Sequence, residues 1–147
     1  MTPQLIPITP DMEFDCKNYE AISEILMDVI NGTVAMGNTP PWCGYLGFTE
    51  HKSVVGTCAF KGPPDETGTV ELAWFTFPPY EGKGYGSWMA GQLVKIAKEA
   101  TGVSTLIAHT LPEKSPSTRI CEKAGFTFEG AIDHPEDGPV WLWKRSV

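Results

Sequence analysis

Residues 70 to 87 constrain this chain more than any other stretch. They read Val-Glu-Leu-Ala-Trp-Phe-Thr-Phe-Pro-Pro-Tyr-Glu-Gly-Lys-Gly-Tyr-Gly-Ser. Val70 to Phe77 is a near-continuous apolar run rich in aromatic residues, the pattern of a strand buried on both faces. Pro78 and Pro79 end it, because neither donates a ladder hydrogen bond and Pro78 biases Phe77 toward extended geometry. Gly82, Gly84 and Gly86 follow at alternate positions, and after Ser87 a helical pattern begins. Strand, glycine loop and helix N-terminus together make an anion site: glycine admits a ligand to the backbone, and exposed N–H groups and the helix dipole favour phosphate oxygens. The stretch is expected to hold the pyrophosphate of a cofactor.

At 147 residues the chain reads as one domain, residues 1–147, long enough to bury a core. Its formal net charge of −7 argues against nucleic acid, which needs a basic footprint. Cys16, Cys43, Cys58 and Cys121 are far apart, with no CxxC pair, and read as reduced core thiols of a cytoplasmic protein. Met1 to Pro10 has neither a basic flank nor a long apolar segment, and no stretch approaches the ~18 apolar residues of a membrane span, so neither a signal peptide nor a membrane is expected.

In chain order, Leu5 to Ile8 is an edge-strand candidate interrupted by proline, and Thr9-Pro10-Asp11 a turn. Tyr19, Ile22, Leu26 and Ile30 recur at helical spacing over Asp15 to Ile30, with Gly32 as the stop and residues 31 to 41 as a loop. Trp42 to Phe48 and Ser53 to Phe60 are strands joined by a turn at residues 49–52. With Thr69 to Phe77 they form an antiparallel meander. Ser87 to Ala100 is a helix, and Val103 to Thr110 a strand parallel to the one before that helix. Pro116 to Ala124 is a short helix with Ser115 as N-cap and Gly125 at its end. Phe126 to Ala131 and Val140 to Lys144 make a final hairpin.

Glu71 to Ser87 resembles, without a gap, the central motif of GNAT-superfamily N-acetyltransferases, and is most similar to the ribosomal-protein-alanine acetyltransferase type. A second match, Ser117 to Phe126, is similar to the family's last helix and its terminal Glu-Lys-x-Gly-Phe. The resemblance implies an α+β fold: a mixed sheet of six or seven strands, an antiparallel meander and then a parallel, splayed pair, flanked by helices. It implies acetyl-coenzyme A as acyl donor, with pantetheine along the backbone of Phe75, Thr76 and Phe77 and pyrophosphate on the loop of Gly82, Lys83, Gly84, Tyr85, Gly86 and Ser87. No metal is implied. The acceptor is a small-molecule amine or a protein N-terminus, and a homodimer is compatible with the family.

An amine attacks a thioester only when neutral, so the site must take a proton. Glu71 matches the position of the basic glutamate in histone-acetylating members; its structural alternative is an acid near a strand start, hydrated or paired with a base. Cys121 stands where many members place the tyrosine that protonates the leaving thiolate, and is either that donor or core. Lys114 replaces the family's pantetheine-binding asparagine, Ser117 remains as a cofactor contact, and Glu81 stands where Arg or Gln is common. His51, His109 and His134 share no metal spacing, though His109 ends the parallel strand near the cleft. Trp42, Tyr45, Trp74 and Trp88 read as core, with the lining of an acceptor pocket as the alternative for Trp42 and Tyr45, which follow the 31–41 loop. A non-catalytic acyl-coenzyme A-binding module is the alternative function. A nucleotide-binding domain fits poorly, because the glycine run lacks both the dinucleotide spacing and the Walker lysine-serine pair.

Overall fold

The computed structural model describes residues 3–9, 23–49 and 53–147, with backbone alone for 23 and 24. Among the described residues seven strands form one mixed sheet in the order β1-β2-β3-β4-β5-β7-β6. They are β1 (Gln4–Pro7), β2 (Gly44–Phe48), β3 (Val54–Phe60), β4 (Thr69–Thr76), β5 (Thr105–Thr110), β6 (Thr127–His134) and β7 (Gly138–Ser146). Every neighbouring pair is antiparallel except β4 and β5. The expected mixed sheet is therefore present in its seven-stranded form.

Among the described residues three α-helices flank it: α1 (described over Ser23–Met36), α2 (Tyr85–Glu99) and α3 (Pro116–Lys123). Alternation along the strands decides which residues meet which helix. Val70, Leu72, Leu106 and Ala108 join Met89, Leu93, Val94 and Ala97 of α2 in the larger core on one face. Leu26 and Ile30 of α1 pack with Ile8, Leu46, Val54 and Phe77 on the other. Fully burying one such aliphatic or aromatic side chain stabilises the fold by about 1.5–3 kcal/mol. The α1 cluster includes no residue of β4 to β7, so the face carrying Glu71, Ala73 and Phe75 lies outside it.

Several boundaries differ from the sequence reading. The α1 helix runs through Gly32 to Met36 and stops at Gly37, which adopts φ +70°. An isolated glycine weakens a helix without ending it; the left-handed glycine past its end is the true stop. Residues 31–36 are thus helix, not loop. The start of that helix, the Thr9-to-Asp11 turn beyond Thr9, Cys16, Tyr19, Ile22, and His51 with its turn lie outside the described residues. Helix α2 begins at Tyr85, two residues before the expected Ser87, because Gly84 takes the N-cap position at φ +87°. Strand β4 is not buried on both faces: Val70 and Leu72 are buried, whereas Phe75 is 45% exposed. The last hairpin is longer than its apolar runs and turns tightly over 135–137. Cys43, Cys58 and Cys121 are free and buried. Among the described residues, no helix is long and apolar enough to cross a membrane.

One buried polar contact locks β7 to β5. The Trp143 indole N–H donates to Thr110 Oγ1 at 3.0 Å, and the Thr110 hydroxyl donates in turn to the Leu111 carbonyl. Thr110→Val strands the indole N–H in the core, where an unsatisfied donor costs about 1–3 kcal/mol. Urea unfolding followed by tryptophan fluorescence is expected to show a loss of that size.

Candidate active site

The parallel pairing of β4 with β5 covers four residue pairs, from Thr69↔Thr105 to Leu72↔Ala108, and then stops. Strand β4 continues to Thr76, still paired with β3 on its other side, and β5 continues to Thr110. The two strands therefore splay. A cleft of about 580 Å³ lies beside the opening. Trp74, Phe75 and Thr76 form one wall, Leu111 and the start of α3 the opposite wall, and the glycine loop its end.

Two helix N-termini meet the cleft, and they are finished differently. A helix leaves its first amides without intrahelical acceptors. In α3 the Ser115 side chain accepts from the Thr118 N–H, and the Thr118 hydroxyl accepts from the Ser115 N–H, a capping box. In α2 the N-cap is Gly84, which has no side chain to offer, and the first intrahelical bond runs from the Trp88 N–H to the Gly84 carbonyl at 3.1 Å. The N–H groups of Tyr85, Gly86 and Ser87 are left for an anion from outside, with the helix dipole behind them. Gly86 is needed for a separate reason. A Cβ there would stand 2.6 Å from Ile120 Cδ1 and 3.2 Å from Thr76 Oγ1, so glycine lets α2 sit against α3 and β4.

Of the residues expected at a cofactor site, Phe75, Thr76, Gly82, Gly84, Tyr85, Gly86, Ser87 and Ser117 line the cleft. Phe77 does not: its ring is fully buried with α1, and its N–H donates to the Val55 carbonyl at 2.9 Å. Lys114 lines a neighbouring concavity on the flank of α3. The Lys83 ammonium sits 6.0 Å over the Tyr80 ring, outside the cleft lining. Cys121 is fully buried in the larger core, and burial pushes its thiol up to about 12. Trp74, read as core, lines the cleft. The lining residues outside that expectation include Tyr80, which packs edge-on against Tyr85 at 6.3 Å, and Arg119 and Lys123, one helical turn apart on α3. That i, i+4 basic pair was the available signal.

The other functional cluster lies on the opposite face of the same strands. Glu71 Oε2 is 3.1 Å from His109 Nδ1 and 3.9 Å from the Lys61 ammonium. An ionised carboxylate only accepts, so the short contact puts a proton on Nδ1 of a neutral His109 ring. His134, from β6, stacks edge-on against His109 with ring centroids 5.1 Å apart. Its Nδ1 accepts from the N–H groups of Glu136 and Asp137, which leaves the proton of its neutral ring on Nε2. Donor atoms of Glu71, His109 and His134 all lie within 4.8 Å of one another. The fold thus gathers two histidines and an acid that sequence spacing kept apart.

A family profile for the acetyltransferase (GNAT) domain matches residues 12–127. Two uncharacterized N-acetyltransferases of Bacillus subtilis (strain 168) are similar. YnaD is 34% identical over 62 residues, covering 42% of this chain and 36% of that protein. YjdG is 31% identical over 77 residues, covering 52% and 46%. The chain thus spans less than half the length of either. Among solved structures, apo RimL, a ribosomal L7/L12 α-N-protein acetyltransferase, superposes with a TM-score of 0.75 at 14% identity, covering 99% of this chain and 94% of that one. Aminoglycoside acetyltransferase AAC(6')-Ib, solved with coenzyme A and kanamycin, gives 0.73 at 19% identity, covering 99% and 95%. At such identities the likeness is one of fold.

The Cys121 thiol makes a direct check on the core. A thiol near 12 is deprotonated only above that pH, leaving a thiolate fraction on the order of 10⁻⁴ at pH 8. Iodoacetamide at pH 8 is expected to leave Cys121 unmodified in the folded protein and to alkylate it after denaturation, read by peptide mass spectrometry.

Proposed function

The chain belongs to the GNAT acetyltransferase family, and from that premise we propose that it moves an acetyl group from acetyl-coenzyme A to a primary amine by direct attack. The observation that carries this is the splayed cleft ending on the uncapped N-terminus of α2. Pantetheine would lie along the free edge of β4 near Phe75 and Thr76, its amides pairing with backbone groups that β5 has left behind. The pyrophosphate would rest on the amides at Gly82 to Ser87, with Arg119 and Lys123 across the cleft as counter-charges.

The acceptor amine would approach from the face that carries Glu71, and its proton would leave there, directly or through a neighbour. Small-molecule amines and protein N-termini are both acceptors in this reading. The buried Cys121 favours a second one: a module that binds acyl-coenzyme A without turnover, since the cleft then lacks the acid expected at that helix position. Thiol release across a panel of amines separates the two. Release with any amine class supports transfer, and acetyl-coenzyme A binding with no release supports the module.

Gly84→Ala tests the loop. Space around its Cβ is open, so the whole effect is conformational: φ +87° costs a non-glycine residue about 1–2 kcal/mol. The free loop relaxes and the bound loop cannot, so KM for acetyl-coenzyme A is expected to rise roughly tenfold with kcat little changed, in steady-state thiol-release assays.

A further inference from the structure

His109 is the first residue of β5 beyond the last pair with β4, Leu72↔Ala108. It therefore stands in the crotch where the strands part. It shares the open face with Glu71, two residues short of Leu111 in the cleft wall. We propose that His109, through Nε2, is the base that takes the proton from the acceptor amine, and that Glu71 is its positioning partner. This rests on the acetyl-transfer reading above.

The Nδ1–H tautomer of His109 supplies the chemistry. Glu71 holds the proton on Nδ1, which leaves a lone pair and not a proton on Nε2. Imidazole is the side chain whose charge changes between about pH 5 and 8, whereas an ordinary carboxylate is a weak proton acceptor at neutral pH. When Nε2 takes the ammonium proton, the N–H pair becomes the lone pair that attacks the thioester carbonyl. The imidazolium so formed is neutralised by the Glu71 carboxylate 3.1 Å away. The C–S bond then breaks with its electrons on sulfur. The nitrogen loses two protons overall; one ends on the thiolate and one in solvent.

Among the described residues the charged surroundings are few. From β4 come Glu71 and, through it, the half-exposed Lys61. From β6 comes His134, with Asp137 Oδ2 3.5 Å from its Nδ1. From β7 the cross-strand partner of His109 is the uncharged Leu142, with Lys144 opposite Ile107. The His109 side chain is only 11% exposed, and the His134 ring covers one side of it.

The test pairs kinetics with a spectroscopic signature. His109→Gln keeps a donor for Glu71 but no titrating base. It is expected to lower kcat about 100-fold or more, to leave KM for acetyl-coenzyme A within about twofold, and to remove the acid limb of the pH–rate profile. Long-range ¹H–¹⁵N spectra of the wild type are expected to show the Nδ1–H tautomer at His109. Glu71→Ala, which removes the acceptor of the Nδ1 proton, is expected to raise the Nε2–H tautomer and to lower kcat comparably. Acetyl-coenzyme A must still raise the melting temperature of both variants. Turnover within threefold of wild type in His109→Gln, with its acid limb intact, overturns the base role alone. Wild-type protein that binds acetyl-coenzyme A but acetylates no amine overturns it together with the transfer reading. An Nε2–H tautomer in the wild type overturns it without reference to turnover, and decides the matter if His109→Gln fails to fold. Tight stoichiometric zinc binding that shifts both histidine rings would make the cluster a metal centre and overturn it too.

Discussion

The backbone pairing of β4 with β5 ends after four residue pairs, and the site exists because it ends there. Had the ladder continued, Ala73 to Thr76 would have been sealed against β5. Instead β4 keeps β3 on one side and presents free N–H and C=O groups on the other. An open edge in mid-sheet is costly unless something pairs with it. Helix α3 occupies the widened end, with Ile120 against Gly86 of α2, and so keeps the strands apart without filling the gap. The strand on the far side of β5 is β7, tied to it by ladder pairing and by the Trp143–Thr110 hydrogen bond.

The same splay separates two kinds of chemistry. On the α2 side, charge is met by backbone: bare amides, a left-handed glycine at the N-cap and a helix dipole. On the other side it is met by side chains, with a carboxylate, two imidazoles and one ammonium gathered from β3's end, β4, β5 and β6. The strand residues joining them alternate between the two faces, so one eight-residue strand serves both.

Much of this was legible in the chain, and the exceptions have physical causes. The order of strands and helices followed from apolar runs, prolines and glycines, because those residues act locally. Ser115 was identifiable as a cap and Gly125 as a terminus for the same reason. Gly32 misled because tertiary packing by Leu26 and Ile30 carries the helix past a weak residue. The apolar run from Val70 to Phe77 looked buried on both faces, since sequence does not distinguish a side chain covered by protein from one lining a cleft. Phe77 and Phe75 both lie beyond the ladder to β5, and they differ because α1 covers Phe77 while Phe75 lines the cleft. The Glu71–His109–His134 cluster was invisible because its members are 38 and 25 residues apart in sequence and meet only through sheet register and the last hairpin. Glu71 was legible as an acid in an apolar strand, and its partner was not.

Phe75 is 45% exposed and Leu111 65%, and both line the cleft. Apolar surface of that kind holds structured water, and a ligand that enters must displace it. Heat capacity reports this directly, because removing apolar area from water lowers it whatever the sign of the binding enthalpy. Association in this cleft should therefore grow more exothermic with temperature. Its free energy should stay nearly flat while enthalpy and entropy trade places.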